Sequence, residues 1–272
     1  MTCAFVDIDH DGRLDIFWGG FGDAVTNTEQ VVFGENLDRY GSGNSALLRQ
    51  GPDGRFAEFD GFFDMPMSTM GASYGDIDND GCHDVYLGTG NPEAWYVLPN
   101  LMYIGARAGK ECLGRADNIS MLHGFGTVQK GHGIVFFDFD NDGDQDIYSS
   151  LGGMWPGDAW PNQFFVNQSE LENTWVKIRL CGRQTNCFGI GAAIRVVAAN
   201  GAGEKIIRHY HMDNKTGFGS APYIAHIGLL DAVRIEAVEV RWPVSKTTKR
   251  YAASPGRLHL LDEGAGTVLS RR

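Results

Sequence analysis

Three stretches of the chain place aspartates at alternate positions around a glycine: DIDHDGRLD at 7–15, DIDNDGCHD at 76–84 and DFDNDGDQD at 138–146. All three fit D-x-D-x-D-G-x-x-D. At the chain's own Asp and Gly frequencies, chance predicts on the order of 0.002 such matches, so three form a specific signal. Thirteen of the 23 aspartates lie in these loops, which concentrates the acidity instead of spreading it. Crowded in this way, the carboxylates repel one another unless a positive charge lies among them.

A hard dication suits the spacing. Calcium takes about 6–8 oxygen ligands at roughly 2.3–2.6 Å, and carboxylates at alternate positions of a tight loop converge on it. The predicted carboxylate ligands are Asp7, Asp9, Asp11 and Asp15, then Asp76, Asp78, Asp80 and Asp84, then Asp138, Asp140, Asp142 and Asp146. The seventh residue, Arg13, Cys82 or Asp144, varies in chemistry, which fits a ligand supplied by its backbone carbonyl. Glycine at the sixth position permits the sharp turn. Magnesium prefers a smaller, water-rich octahedron. Solvated acidic turns are the plain alternative for one such loop, since Asp and Gly are ordinary turn residues. Three full copies favour about three calcium ions.

The residues around the loops must position them. The flanks (CAFV and IFWG, ASYG and VYLG, GIVFF and IYSS) are rich in aromatic and β-branched residues, which are strand signals. An EF-hand needs helices and a Glu at position 12, where this chain has Trp18, Leu87 and Ser149. The loops therefore join strands. They begin at 7, 76 and 138, giving periods of 69 and 62 residues. Each is followed by an Asn before a strand: Asn44, Asn100 and Asn162. The first copy is longer, with 13 extra residues placed within 22–41. Roughly four short strands per ~60-residue repeat predict β-propeller blades over residues 1–168.

At these residues the chain resembles a known family. The loops resemble FG-GAP/VCBS repeats, the calcium-binding blades of integrin α-chain-type propellers. GTVQKGHGIVFFDFDNDGDQDIYSSLGGMWPGD resembles the segment leading into the ASPIC/UnbV domain of the cartilage acidic protein family and its bacterial relatives. Further matches are Thr185-Asn186, Gly189-Ile190-Gly191-Ala192, Phe218-Gly219-Ser220, His226-Ile227-Gly228-Leu229 and Arg241-Trp242-Pro243. Relatives commonly carry S-N-R where this chain has Thr185-Asn186-Cys187. The resemblance implies an extracellular or periplasmic calcium-binding module. Its own strand signals (TWVKIRL, AAIRVVA, EKIIRHYH, AVRIEAVEVRW, RLHLL) make residues 173–263 a separate β domain, expected to be a small sandwich. The fold class is all-β: a partial propeller, then this domain.

Composition sets the outer bounds. A formal charge of −11 argues against nucleic acid as a partner, and three calcium ions would bring it to −11 + 6 = −5. No apolar run approaches the ~20 residues of a membrane span. Cys181 and Cys187 flank a short segment and either pair in an oxidising compartment or remain free thiols. Asn118, Asn167 and Asn214 head glycosylation sequons. Only six residues precede Asp7, too few for a signal peptide, and three blades are too few for a closed ring of about 4–8. Truncation is therefore expected, with missing blades supplied by a longer chain or by self-association.

Catalysis is not the favoured reading. His209 and His211, two apart on a strand, are read as an exposed strand face before a transition-metal pair. His123 and His132 flank the third blade without an identified acid–base partner. Trp155, Pro156 and Trp160 form an aromatic loop, expected to cover the blade or the joint to the C-terminal domain; the sharper alternative is a protein- or sugar-binding surface. The sequence predicts a binding or adhesion module for a protein or carbohydrate ligand. The alternative is a calcium-dependent propeller enzyme acting on polysaccharide.

Overall fold

A computed structural model describes residues 2–20, 45–59, 63, 68–90, 98–153, 156–169, 172–213 and 219–271. Asn44, Trp155, Asn214, Phe218 and the insertion within 22–41 lie outside the described residues. Every regular element among the described residues is a strand. The all-β expectation holds.

Three antiparallel sheets follow the chain in order. The first comprises β1 (Thr2–Val6), β2 (Asp15–Gly19), β3 (Ala46–Gln50) and β4 (Phe56–Glu58). The second comprises β5 (Thr69–Gly75), β6 (Asp84–Thr89), β7 (Leu101–Ala108) and β8 (Glu111–Asn118). In the third, β9 (Gly131–Phe137), β10 (Asp146–Leu151) and β11 (Gln163–Phe165) make three strands among the described residues, not the four expected. Each acidic loop is the hairpin between the first two strands of its sheet.

The sheets stack in sequence, and burial follows from that order. β6 is buried along its whole length because its sheet lies between the other two. Val85 and Leu87 join Val6, Phe17 and Leu47 in one core, whereas Tyr86 joins Phe136 and Ile147 in the next. Strand β2, with one neighbouring sheet, alternates buried and accessible positions. Among the described residues the three sheets do not close into a ring.

The recurring asparagines have a structural role. Asn100 Oδ1 accepts from the Thr89 N–H (2.9 Å), and Asn162 Oδ1 accepts from the Leu151 N–H (3.0 Å). Each amide thus satisfies the end of the second strand, whose backbone groups would otherwise be left unpaired.

Two more sheets form the C-terminal part. One runs β15 (Ala225–Gly228), β12 (Trp175–Cys181), β18 (Leu258–Asp262) and β19 (Gly266–Arg271); the other runs β14 (Lys205–His211), β13 (Ala193–Asn200), β16 (Ala232–Arg241) and β17 (Thr248–Tyr251). Both contribute to one core, including Ile178, Leu180, Val196 and Val238. Buried Trp242 donates through Nε1 to Tyr251 Oη, which donates to the Asp262 carbonyl. The unit extends past the expected boundary at 263, because β19 pairs with β18.

Of the two alternatives for Cys181 and Cys187 the structure shows the free thiols, and it adds a bridge that the sequence reading did not name. Cys82 bonds to Cys112 on β8, while Cys181 and Cys187 are free. The bridge ties the second acidic loop to the outer strand of its sheet. Closing 30 residues, it should stabilise by about 3.5 kcal/mol in the chain-entropy account. Urea unfolding of a Cys82→Ala/Cys112→Ala variant should show a loss of that size, and an unchanged midpoint would refute it.

Candidate metal centres

The three loops share one hydrogen-bond scheme. The first aspartate accepts from the sixth-position glycine: Asp7 from Gly12 (2.9 Å), Asp76 from Gly81 (2.9 Å) and Asp138 from Gly143 (3.0 Å). The ninth accepts from the second residue: Asp15 from Ile8 (3.1 Å), Asp84 from Ile77 (2.7 Å) and Asp146 from Phe139 (2.8 Å). Its other oxygen reaches the chain at or just beyond the third strand, at Gln50, Gly105 or Asn167. Those glycines have φ of +88°, +85° and +105°, which only glycine adopts readily.

A further feature was missed by sequence reasoning. The fourth residues, His10, Asn79 and Asn141, all have φ near +60°. From that turn His10 Nε2 reaches the Gly81 carbonyl, and Asn79 Nδ2 donates to the Gly143 carbonyl (2.9 Å). Position four of one loop thus latches onto position six of the next. Burial, then the nearby Arg208, lowers His10 to about 3, so its ring is neutral. A neutral ring donates to one carbonyl only: Nε2 faces that of Gly81, and Nδ1 lies between the carbonyl (2.9 Å) and the N–H (3.2 Å) of His209.

Not every predicted ligand converges. Oxygens of Asp7, Asp9 and Asp15, and of Asp76, Asp78 and Asp84, lie within 4.8 Å of one another. In the third loop the set is Asp138, Asp140 and Asp142, and the last two are exposed. At position five, Asp11 pairs instead with Arg13, and Asp80 with Arg107 (3.1 Å). Arg49 meets Asp9, and Lys177 meets Asp138. Arg13 and Cys82 have other side-chain partners, which leaves the predicted role of their carbonyls untouched.

Charge counting separates the loops. With every carboxylate ionised, as a bound cation requires, four with Arg13 and Arg49 leave the first at −4 + 2 = −2. Four with Arg107 and the neighbouring Arg208 leave the second at −2. Five with Lys177 leave the third at −4. Burial, with Asp11 and Asp15 adding to it against the Gly12 N–H, pushes Asp7 up to about 7. Burial and then neighbouring carboxylates hold Asp76 and Asp84 well above the usual range, and the same causes raise Asp144 to about 7. Among the described residues, no donor reaches buried Asp76 Oδ1, Asp138 Oδ1 or Asp144 Oδ1. An all-oxygen set with residual negative charge and unpartnered buried oxygens fits a hard dication.

The C-terminal sheets are seated on these loops. Gly228 N–H donates to Asp76 Oδ2 (3.0 Å), His226 Nε2 meets Asn79 Oδ1 (2.8 Å), and Asn173 donates to the Asp78 carbonyl (2.9 Å). Arg208 donates to the Asp80 carbonyl (2.9 Å). Trp175 packs over Gly143 and stacks on His226. His209 and His211 are therefore half-buried, correcting the exposed-face expectation: His209 lies against Gly12 of the first loop. Trp160 stands exposed instead of covering the joint, which Trp175 and Arg208 occupy.

Other singled-out residues have structural partners. His132 Nε2 meets the Gly152 carbonyl, and His123 packs edge-on to Phe125. Asn167 Nδ2 donates to the Ile77 carbonyl (2.7 Å), so this sequon amide is engaged inside the fold. A cavity of about 500 Å³ between the second and third sheets is lined by Ile77, Ile104, Ile119, Phe125 and Phe165, with Asp78 and His123 as its ionisable groups. Among the described residues it therefore offers no pair of carboxylates.

Glu263 was not singled out by sequence reasoning. Its carboxylate accepts from the Arg183, Gln184 and Thr185 N–H groups (2.6, 2.8 and 2.9 Å) and from the Thr185 and Ser245 hydroxyls. Burial acts to raise its pKa, but these donors outweigh it and bring it down to about 2. A depressed carboxylate stabilises the fold above its unfolded value of 4.5 and loses that contribution as pH falls toward about 2. Glu263→Gln should therefore melt roughly 3–6 °C lower at pH 7, with the gap closing near pH 2. A gap that stays constant across this window would refute the assignment.

The family model described as ASPIC and UnbV matches residues 182–268, the stretch that contains Thr185 and Glu263. No curated protein matches the chain.

Proposed function

We propose that this chain is a calcium-stabilised extracytoplasmic binding or adhesion module: FG-GAP/VCBS-type blades in an open propeller array, followed by an ASPIC/UnbV-type β domain, as in cartilage acidic protein-like chains. The observation that carries the reading is the thrice-repeated loop geometry, which leaves buried carboxylate oxygens without a donor. Calcium, when bound, supplies the positive charge that these oxygens lack. Asp7, Asp9 and Asp15 would hold one ion, and Asp76, Asp78 and Asp84 another. Asp138, Asp140 and Asp142 would hold the third more weakly, because Asp140 and Asp142 are exposed and solvent screens the loop's larger residual charge. The Cys82–Cys112 bridge supports an oxidising compartment. The ligand served is a protein or a carbohydrate.

Calorimetric titration of chelator-stripped protein with calcium tests this. About three ions are expected, two of them tighter than the third. Absence of heat and of any ion retained on equilibrium dialysis would overturn the reading.

A further inference from the structure

Aligning the repeats on their loops shows what each sheet face meets. Ile8, Phe17 and Leu47 of the first sheet are buried against the second. Their counterparts Ile77, Tyr86 and Met102 pack against the third. In the third sheet the same positions are Phe139, Tyr148 and Phe164, and here they are exposed, Phe139 to 60%. Cross-strand pairing confirms the equivalence, since Phe17 faces Leu47, Tyr86 faces Met102 and Tyr148 faces Phe164. Phe139 and Phe164 pack edge to face, with Phe137 stacked alongside Phe164.

The opposite face is incomplete at the other end. Tyr74 and Leu87 of the second sheet are buried against the first, as are Phe136 and Ser149 of the third against the second. Their counterparts in the first sheet are Phe5 and Trp18, 54% and 40% exposed. The latch shows the same polarity: His10 and Asn79 each reach the next loop, whereas Asn141 is exposed and its amide has no partner among the described residues.

We propose that these two faces are the halves of one interface, filled by a second copy of this chain. The third sheet of one copy packs on the first sheet of the next, burying Phe139, Tyr148 and Phe164 against Phe5 and Trp18, with Asn141 donating to the Gly12 carbonyl. The occupant follows from continuity with the two sheet–sheet interfaces inside the chain, which use the same positions. A second copy carries both faces, so each chain of a pair offers the face that the other lacks. Where the rotation does not close, the same contact gives an open row. The inference rests on reading the sheets as blades of one array, but not on the ion.

Sedimentation of the full chain in calcium, and again in chelator, tests it. The parent should run as a two-chain or larger species at micromolar concentration. Trp18→Glu and Phe164→Glu, each melting as the parent does, should bind their own kind at least a hundredfold more weakly, because a charge is placed in an apolar contact. An equimolar mixture of the two should regain a two-chain species, since one retains an intact third-sheet face and the other an intact first-sheet face. Phe5→Glu and Phe139→Glu provide a second pair if either variant fails to fold. A monomeric parent, a variant that still associates, or a mixture that stays monomeric would overturn the proposal. Association that persists without calcium binding would sink the ion reading alone.

Discussion

Stripping calcium from the protein should lower its melting temperature by roughly 10–25 °C. Each ion that binds only the folded chain adds about 2.7 kcal/mol at a hundredfold excess over its dissociation constant. Two or three such sites give about 5–8 kcal/mol, and each kcal/mol shifts a chain of this size by roughly 2–4 °C. The measurement is a pair of melts, one in millimolar calcium and one in chelator. Coincident curves would show that the loops are solvated turns whose arginines suffice.

The two states should also respond to pH in opposite directions. Without an ion, Asp7 has a folded pKa of about 7 against an ordinary 3.8. The folded chain then binds more protons than the unfolded one between those values, so stability falls as pH rises through that window. Asp144 has the same raised value and adds to the trend. Calcium binding at these loops would displace these protons, so its affinity should rise over the same range. Stripped protein should melt higher at pH 5 than at pH 7.5, whereas loaded protein should not. Parallel pH profiles would contradict the electrostatic account.

The loops, their spacing and the strands beside them were legible because each rests on a local period. Asp7, Asp76 and Asp138 mark the repeat, and alternation in the flanks marks the hairpins. Asn100 and Asn162 were visible as markers, but their task, accepting from the end of the second strand, needs the pairing register. The latch was hidden in plain view: His10, Asn79 and Asn141 are types that tolerate a left-handed turn, yet nothing local says which carbonyl they reach. Cys82 and Cys112 stand 30 residues apart, and only the meander from β6 to β8 brings them together. Furthest from reach was the seating of the C-terminal sheets, since Gly228 meets Asp76 across 152 residues. The sequence match at His226-Ile227-Gly228 flagged the position without its reason.

That reason yields the second large effect, in Gly228→Ala. A Cβ on Gly228 would lie 2.1 Å from Asp76 Oδ2 and 2.5 Å from the Asn79 backbone carbonyl. Backbone cannot swing aside as a side-chain tip can, so β15 must lift from the second loop. Overpacking of this kind costs about 1–3 kcal/mol, and losing the hydrogen bond from Gly228 to a buried carboxylate costs about as much again. A loss of about 4 kcal/mol is expected in urea unfolding. A merely crowded core would show only that loss. Here Asp76 both accepts from Gly228 and belongs to the second loop's oxygen set, so the same variant should bind one calcium fewer in the titration while the first loop's site is retained. Full stoichiometry with lowered stability would mean that the C-terminal sheets rest on the loop without shaping it. Loss of one ion would make Gly228 the residue through which the C-terminal sheets hold the second loop in its binding geometry.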